Sequence, residues 1–214
     1  MKRTSTALAA ASLVLLAANV AMAGLWTEVG DAGNLVSTGQ VTDGSGALTL
    51  INGSIALNND ADLYQINILD HASFSASTVG LTTADTRLYL FDPNGMGVTF
   101  DDDAPGGSAQ STITSQFVTA NGLYWLAISK YPLFANSWTN GAWAFIWNAN
   151  PYNVERQPDG PGKLNPLGNW TGALPGGTPV SYGISLTGSG FAVPEPTALM
   201  LLAMAGLARR RNRV

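Results

Sequence analysis

Clustered aspartates are the residues of this chain best suited to binding a metal ion. Asp101, Asp102 and Asp103 follow one another directly after a predicted strand, and Asp92 and Asn94 lie in the turn before it. Their carboxylate oxygens are the hard ligands that calcium prefers. No Asp-x-Asp-x-Asp-Gly loop accompanies them, and adjacent carboxylates often only face water. The run is therefore a candidate calcium site, which three further aspartates join only if the fold brings them close: Asp60, Asp62 and Asp85.

An aromatic-rich segment, residues 131–176, offers a second kind of chemistry, because flat rings stack on the apolar faces of sugars. Four of the six tryptophans lie in this segment. Asparagines, whose amides bond sugar hydroxyls, lie close by in the sequence: Asn148, Asn150 and Asn153. Two interpretations stay open for Trp138, Trp143 and Trp147: carbohydrate contact, or packing over the core by a loop-rich insertion. The alternation of Trp143, Phe145 and Trp147 is typical of a half-buried strand and favours packing.

The residue types do not predict catalysis. His71 is the only histidine, so it would have to be the base of any nucleophilic triad, and no G-x-S-x-G motif surrounds a serine. The chain has no cysteine nucleophile, and one imidazole is too few for a typical zinc site. Paired carboxylates for glycoside hydrolysis would have to be drawn from aspartates with no flanking motif. We therefore expect no enzymatic activity and a solvated turn position for His71.

The composition indicates an all-β protein. Gly, Thr, Ser and Asn are abundant, Lys, Glu and Arg are scarce, and few windows show the 3.6-residue period of a helix. The stretch between the two terminal segments is long enough for one core, which the lack of cysteine leaves without disulfides. We predict a single β-sandwich or jelly-roll-like domain over residues 24–190, with an insertion at about 131–176.

Period-two alternation predicts which face two of the strands turn to the core. Tyr64, Ile66 and Ile68 alternate with residues that face the opposite side. Farther along, Leu88 and Leu90 share one face of a second strand. The other face of that strand carries Arg87, Tyr89 and Phe91.

Turn pairs and β-rich runs place the remaining strands. Asp92–Gly95 has the residue order of a tight turn, Asn52-Gly53 is expected to close a strand, and Asn121-Gly122 to make a hairpin. The other predicted strands are Ala47–Ile51, Phe74–Thr78, Val98–Phe100, Ser111–Val118, Leu123–Ile128 and the closing strand Ser181–Leu186. Short strands at this spacing, separated by turn signals, are typical of a sandwich or jelly roll.

Most of the positive charge lies outside the predicted domain. The chain carries 14 acidic and 10 basic residues, a net charge of −4, but six of the ten cations lie in the two terminal segments. Residues 24–193 keep four cations against thirteen acids, a balance near −9. We expect no nucleic-acid partner, because phosphate contacts need clustered Lys and Arg. An acidic, lysine-poor surface suits an exported protein and attracts cations.

Residues 1–23 have the layout of a secretory signal peptide. Lys2 and Arg3 give a positive start, an apolar run covers residues 7–18, and Ala21-Met22-Ala23 places small residues where signal peptidase cuts. We expect this segment to be an apolar helix that is removed after Ala23. Its presence predicts export from the cytoplasm.

The C-terminal segment, residues 191–214, forms a second address. Pro194, Glu195 and Pro196 come before an uncharged apolar run, residues 197–207. A basic cluster follows at once: Arg209, Arg210, Arg211 and Arg213. This order resembles the PEP-CTERM sorting signal of bacteria. The resemblance implies recognition by an exosortase, with the arginines on the cytoplasmic side of the membrane.

The apolar run of this signal is short for a membrane span. Residues 197–207 would give a helix of roughly 16 Å, against a bilayer core of ~30 Å. We therefore expect a short hydrophobic helix that holds the chain in the membrane weakly and transiently before processing.

The predicted domain resembles the bacterial pre-peptidase C-terminal domain, a small β-sandwich. The resemblance runs from about Ile51 to Ile128, and Tyr182–Leu186 is the expected counterpart of the last strand. Its matching pieces are Gly53-Ser54-Ile55, Asp62 with Tyr64, the strand and turn Asp85–Gly95, and Gly122-Leu123-Tyr124. The resemblance implies a fold and, joined to the sorting signal, a stand-alone exported protein. It implies no activity.

These observations together predict an exported, exosortase-sorted, non-catalytic protein of the extracellular matrix or cell envelope. Its expected partners are signal peptidase and exosortase during export and an extracellular polysaccharide afterwards. One alternative is a carbohydrate-binding module that uses the aromatic residues of 131–176. The other is a hydrolase with two buried carboxylates that face each other in a cleft.

Overall fold

The computed structural model describes residues 24–57, 59–172 and 176–194. These residues form strands joined by turns, with two 3₁₀ turns at His71–Ser73 and Ser115–Phe117 and no α-helix among them. The strands in chain order are β1 (Leu25–Thr27), β2 (Gln40–Val41), β3 (Asp43–Gly44), β4 (Leu50–Ile55), β5 (Ala61–Ile68), β6 (Ser75–Ser77), β7 (Thr86–Phe91), β8 (Gly97–Asp101), β9 (Thr112–Ile113), β10 (Gly122–Lys130), β11 (Phe134–Thr139), β12 (Ala142–Phe145), β13 (Asn169–Thr171), β14 (Val180–Thr187), β15 (Ser189–Phe191) and β16 (Val193–Pro194). The all-β class is therefore confirmed.

The two predicted terminal helices fall outside the described residues. They belong to residues 1–23 and to the stretch that follows Pro194. Within the part of the chain that the structure describes, no helix is long and apolar enough to cross a membrane.

Two larger sheets form the body of the fold. The first sheet has the order β1-β4-β14-β6-β9, and the second has the order β15-β5-β10-β7-β8, with β2 added alongside β5. Side chains from both sheets meet in one buried apolar cluster, here called the inner cluster. Its members alternate along each strand, as expected for a sheet with one face turned to a partner sheet. They include Ile51, Ile184 and Leu186 from the first sheet and Tyr64, Ile66, Leu88, Leu90, Leu126 and Ile128 from the second.

The opposite face of the second sheet is also buried. A small third sheet, β12-β11-β13, and its connecting loops supply the residues that pack on it. We call residues 131–172, which contain these strands, the third layer. The resulting outer cluster contains Leu63, Tyr89, Phe91, Phe100, Trp125, Leu133, Ile146, Trp147 and Trp170. The predicted aromatic insertion therefore packs over the second sheet.

Alternation correctly predicted the faces of β5 and β7. Leu88 and Leu90 lie in the inner cluster, whereas Tyr89 and Phe91 lie in the outer cluster. The turn Asp92–Gly95 is confirmed as well, because Gly95 N–H donates to the Asp92 carbonyl at 2.9 Å. The Asp92 side chain also accepts two backbone N–H groups of the turn, which explains why Asp occupies its first position.

The predicted turn at Asn52-Gly53 is wrong. Both residues lie inside β4, where Gly53 is opposite Tyr182 of β14. A Cβ at Gly53 would lie 2.4 Å from the Tyr182 hydroxyl and 2.8 Å from the Tyr64 hydroxyl. Glycine is present because two tyrosines approach the backbone closely. The strand expected at Ala47–Ile51 accordingly begins later, at Leu50, and runs on to Ile55.

Three other expectations differ from the structure. The strand expected at Ser111–Val118 is only two residues long, because the Thr114 side chain accepts from Gln116 N–H and starts a 3₁₀ turn. Asn121-Gly122 makes no hairpin, since β10 pairs with β5 and β7 and the Asn121 amide bonds Leu69 and His71 instead. The strand at Ser181–Leu186 exists within β14, but β15 and β16 follow it.

Candidate functional site

The three consecutive aspartates do not share one site. Asp101 ends β8, and its Oδ2 accepts a backbone N–H of β9 at 2.7 Å. Asp102 faces elsewhere, as successive residues of an extended chain do, and its Oδ2 accepts from Arg87 Nη2 at 2.7 Å. Asp103 joins Asp102 beside Asp85. The predicted calcium group is therefore divided, and Asp85 takes the place of Asp101.

Asp85, Asp102 and Asp103 line a pocket of about 460 Å³, here called the acidic pocket. Asp85 directly precedes β7, and the other two directly follow β8, its antiparallel neighbour at the edge of the second sheet. One carboxylate oxygen of each lies within 4.8 Å of the others. The remaining lining residues are Arg87 and members of the third layer: Tyr131, Phe134, Ala149, Asn150 and Tyr152. The pocket thus lies where the edge of the second sheet meets the third layer.

Arg87 forms a rigid wall of the acidic pocket. Its guanidinium bonds Asp102 at 2.7 Å and reaches the Leu133 carbonyl at 3.4 Å. The guanidinium carbon also lies 3.8 Å from the centre of the Phe134 ring and 4.6 Å from that of Tyr131. Aromatic faces attract a cation most strongly where water is excluded. Arg87 is therefore held on several sides, and it fixes the orientation of Asp102.

An irregularity in the β7–β8 hairpin sets the partner of Arg87. Beside the Asp92–Gly95 turn Phe91 is opposite Gly97, and the register then shifts by one residue between Phe91 and Leu90, so that Leu88 is opposite Asp101. One step outward on each strand brings Arg87 to Asp102. Without this shift the turn would place Arg87 opposite Asp101, so the predicted turn alone does not reveal the ion pair.

Two carboxylate oxygens of the acidic pocket have no hydrogen-bond partner among the described residues. They are Oδ1 of Asp85 and Oδ1 of Asp102, and both atoms are buried. Burial, with the neighbouring charges of Asp102 and Asp103, raises the pKa of Asp85 to about 6. Burial and Asp102 also raise the pKa of Asp103. The pocket thus concentrates carboxyl groups whose negative charge is only partly balanced by Arg87.

A second carboxylate group, here called the Glu28 cluster, consists of Glu28, Asp31 and Asp62. Glu28 accepts backbone N–H groups of Ala32 and Ser54 at 2.9 and 2.7 Å, so both its oxygens serve local structure. Asp62 is buried, and its Oδ2 accepts from the Tyr182 hydroxyl at 2.6 Å. Burial raises the pKa of Asp62 to about 8. Asp62 is therefore a mainly neutral acid at pH 7.

Trp147 does not face solvent. Only 1% of it is exposed, and its ring packs against Tyr89, Phe91 and Phe100 with centroid distances of 5.6 to 5.8 Å. Its indole N–H donates to the Arg156 carbonyl at 3.2 Å. The expectation that Trp147 contacts carbohydrate is corrected on this ground, because a sugar cannot reach a ring inside the outer cluster.

Trp138 and Trp143 form an exposed aromatic pair, with 56% and 45% of their surfaces open to solvent. They are directly opposite each other on β11 and β12, their ring centres are 5.1 Å apart, and the planes cross at 76°. The tight turn Asn140-Gly141, with φ of 51° and 84°, joins the two strands. This Asn-Gly pair is the sequence signal that identifies the hairpin, although the segment as a whole has the composition of a loop.

The other predicted side chains lie at separate places. The Asn148 amide donates to the Asp159 carbonyl, Asn150 lines the acidic pocket, and Asn153 lines another cleft. The Nδ1 atom of His71 lies at hydrogen-bond distance, 2.9 Å, from the Asn121 side-chain oxygen at a solvent-exposed position. None of these contacts, within the described part of the chain, assembles a nucleophile with a base.

Two acidic residues line one further cleft. Asp101 and Glu155 both line a cavity of about 410 Å³. Burial raises the pKa of Asp101 to about 7, and burial also raises the pKa of Glu155. Glu155 accepts from the hydroxyls of Thr99 and Thr114, so its oxygens are already bonded to neighbouring strands.

The sorting residues lie almost wholly beyond the described range. Glu195, Pro196, Arg209, Arg210 and Arg211 are outside it, as is the apolar run 197–207. Pro194 is described at the backbone level, where β16 pairs in parallel with β3. Backbone pairing therefore reaches the first residue of the proline triplet, past the expected domain boundary at 190.

Comparison with known proteins adds no family. No protein-family model matches the chain, and no curated protein is significantly similar to it.

Proposed function

We propose that this is an exported, non-catalytic protein of the bacterial cell envelope or extracellular matrix that contacts polysaccharide through Trp138 and Trp143. The observation that carries the contact is the exposed ring pair on the β11–β12 hairpin. Tryptophan rings that are about half exposed offer the flat apolar surface on which pyranoses stack. In this proposal Trp147 belongs to the scaffold beneath the hairpin.

The scaffold under the pair favours a fixed binding surface. Gly168 leaves room for the Trp143 ring, since a Cβ there would lie 2.9 Å from it. Asn165 donates to Thr139 Oγ1 at 3.0 Å, which ties the hairpin to the loop before β13. A ring held in place loses less conformational entropy when a sugar binds.

The route to the cell surface is proposed from the two terminal segments. Residues 1–23 would be removed by signal peptidase, and an exosortase would recognise Pro194-Glu195-Pro196 with the arginines behind it. We also propose that the first and second sheets with the inner cluster form a β-sandwich of the pre-peptidase C-terminal type. The test is intact-mass measurement on medium, surface and cytosolic fractions. Uncleaved full-length chain confined to the cytosol would refute the route.

The polysaccharide contact is tested by substitution within the pair. Trp138→Ala and Trp143→Ala are expected to abolish pull-down with exopolysaccharide from the producing cells, while the thermal midpoint changes little because both rings are exposed. Leu164→Ala is the matched control, because Leu164 is 79% exposed in the same layer. If both tryptophan variants bound exopolysaccharide as well as the native protein does, the contact would be refuted. The export route would not be affected.

A hydrolase remains the second candidate, favoured by the shared cleft of Asp101 and Glu155. A buried acid with a pKa of about 7 suits a proton donor, as retaining and inverting glycosidases both require. The hydrogen bonds to Glu155 from two threonines instead indicate a structural role. Release of reducing ends from exopolysaccharide by the native protein, lost in Glu155→Gln, would favour the hydrolase over the non-catalytic proposal.

A further inference from the structure

The acidic pocket holds more negative charge than its surroundings balance. One carboxylate oxygen from each of Asp85, Asp102 and Asp103 lies within 4.8 Å of the others, and among the described residues Arg87 supplies the guanidinium on the pocket wall. Like charges at such distances repel strongly unless a counter-charge lies between them. Lys130 also acts on Asp85, whose pKa its charge lowers, so three ionised acids carry an excess of one negative charge over Arg87 and Lys130.

Asp102 supplies a second, independent sign of a ligand. It is 3% exposed, and its Oδ2 is occupied by Arg87 at 2.7 Å. Its Oδ1 is buried at the pocket with no partner among the described residues, as is Oδ1 of Asp85. A buried carboxylate oxygen without a partner is costly. A cation held by Asp102 Oδ1 and Asp85 Oδ1 would remove that cost at both atoms.

We infer that the acidic pocket is a calcium site, with Asp85, Asp102 and Asp103 as its carboxylate ligands. Calcium fits better than magnesium, because the ligands come from two strand ends and calcium accepts irregular shells of oxygen atoms. Magnesium requires near-octahedral geometry. Asn150, a residue whose side chain carries an amide oxygen, also lines the pocket. Arg87 is a positioning residue, which holds Asp102 so that its second oxygen faces the ion.

The expected affinity is that of an extracellular module. Three carboxylates beside a guanidinium carry a lower charge than the loops of intracellular calcium sensors, so we expect a dissociation constant on the order of 0.1–1 mM. Such a site would fill in calcium-rich surroundings and empty in the cytoplasm. The inference does not depend on the polysaccharide contact of the tryptophan pair.

Calorimetric titration of the purified full chain with calcium chloride tests the site. We expect Asp85→Asn and Asp103→Asn each to weaken the affinity about tenfold or more, since each removes a charged ligand. Asp43→Asn removes the same charge at an exposed position in β3 and should leave the affinity within about twofold. Equal loss in Asp43→Asn would overturn the site, because it would show attraction to the overall charge only.

The Glu28 cluster provides the competing location. Asp31→Asn leaves calcium affinity unchanged if the acidic pocket is the site. Loss of binding in Asp31→Asn, with retention in Asp85→Asn, would overturn the inference and place the ion beside Glu28. The inference would also be overturned if about 10 mM calcium produced no binding heat and no rise in the thermal midpoint. Thermal midpoints in chelator confirm that each variant is folded before titration.

Discussion

The two faces of the second sheet bury charge in opposite ways. Asp62 is opposite Ile128 and Asp101 is opposite Leu88, so both acids lie on the inner face, which the first sheet covers. Burial raises their pKa values to about 8 and about 7. Arg87, opposite Ser129, lies on the outer face and keeps a salt bridge with Asp102. One face thus buries acids whose pKa values are raised, and the other buries an ion pair.

The difference follows from what covers each face. The inner cluster is mostly aliphatic, and the Tyr182 hydroxyl, which donates to Asp62 there, supplies no counter-charge. The third layer brings the aromatic rings of Phe134 and Tyr131 over Arg87. Such rings stabilise a desolvated cation. A sheet therefore tolerates buried ionisable residues on both faces, provided that each covering layer matches the form that it buries.

The largest expected effect is a pH dependence that arises on the inner face. Asp62 ionises near pH 3.8 when unfolded and near 8 when folded, so rising pH favours the unfolded state across that window. At about 1.4 kcal/mol per unit, the loss is on the order of 5 kcal/mol between pH 4 and pH 8. Asp62→Asn should remove this contribution from the slope measured by urea unfolding of the full chain, and Asp101, with a pKa of about 7, should keep a smaller slope of the same sign. An equally steep slope in Asp62→Asn would show that Asp62 is not buried as a neutral acid.

Removal of the central ring of the third layer comes next. Trp147→Ala should cost about 4 kcal/mol in free energy of unfolding, because a fully buried tryptophan leaves a large cavity against Tyr89, Phe91 and Phe100. Trp138→Ala, in the same layer but exposed, should change it by less than about 0.5 kcal/mol. Similar losses in the two variants would contradict the division of the tryptophans into scaffold and surface.

The ion pair of the outer face gives an intermediate effect. Arg87→Met should cost about 3 kcal/mol, because it leaves the Asp102 carboxylate buried without its partner. Lys163→Met, which removes an exposed charge in the same layer, is the control and should be close to neutral. The double variant Arg87→Met/Asp102→Leu should recover most of the loss in chemical denaturation. If the double variant does not recover stability, the loss in Arg87→Met comes from lost packing of the Arg87 methylene groups and not from the unpaired Asp102 carboxylate.

Sequence patterns predicted the strands that carry these faces better than the layers that cover them. Alternation placed Leu88 and Leu90 on one side of β7 and Tyr89 and Phe91 on the other, as the structure has them. Alternation along one strand cannot reveal that both sides are buried, because the covering residues come from a segment more than forty residues later in the chain. Asp85 and Asp103 were likewise too far apart in sequence for a spacing rule to join them.

Two Asn-Gly pairs in the chain adopt different structures. Asn140-Gly141 forms the tight turn of the β11–β12 hairpin, as Asn-Gly pairs often do. Asn52-Gly53, predicted as a turn for that reason, lies in the interior of β4. Tertiary contacts distinguish the two pairs. Position 53 holds a glycine because Tyr64 and Tyr182, which belong to other strands, lie close to its backbone.

The smallest expected effect comes from substitution of two glycines, one on each face of the second sheet. Gly53→Ala would bring a Cβ within 2.4 Å of the Tyr182 hydroxyl on the inner face, and Gly97→Ala would bring one within 2.7 Å of the Trp147 ring on the outer face. Each should cost about 2 kcal/mol by overpacking. Gly53→Ala should also change the pH slope of unfolding, because it displaces the hydroxyl that bonds Asp62. Gly97→Ala should leave the slope intact, since its contacts carry no titratable group. Identical slopes in both variants would mean that the Tyr182 hydroxyl does not lower the pKa of Asp62 against the effect of burial.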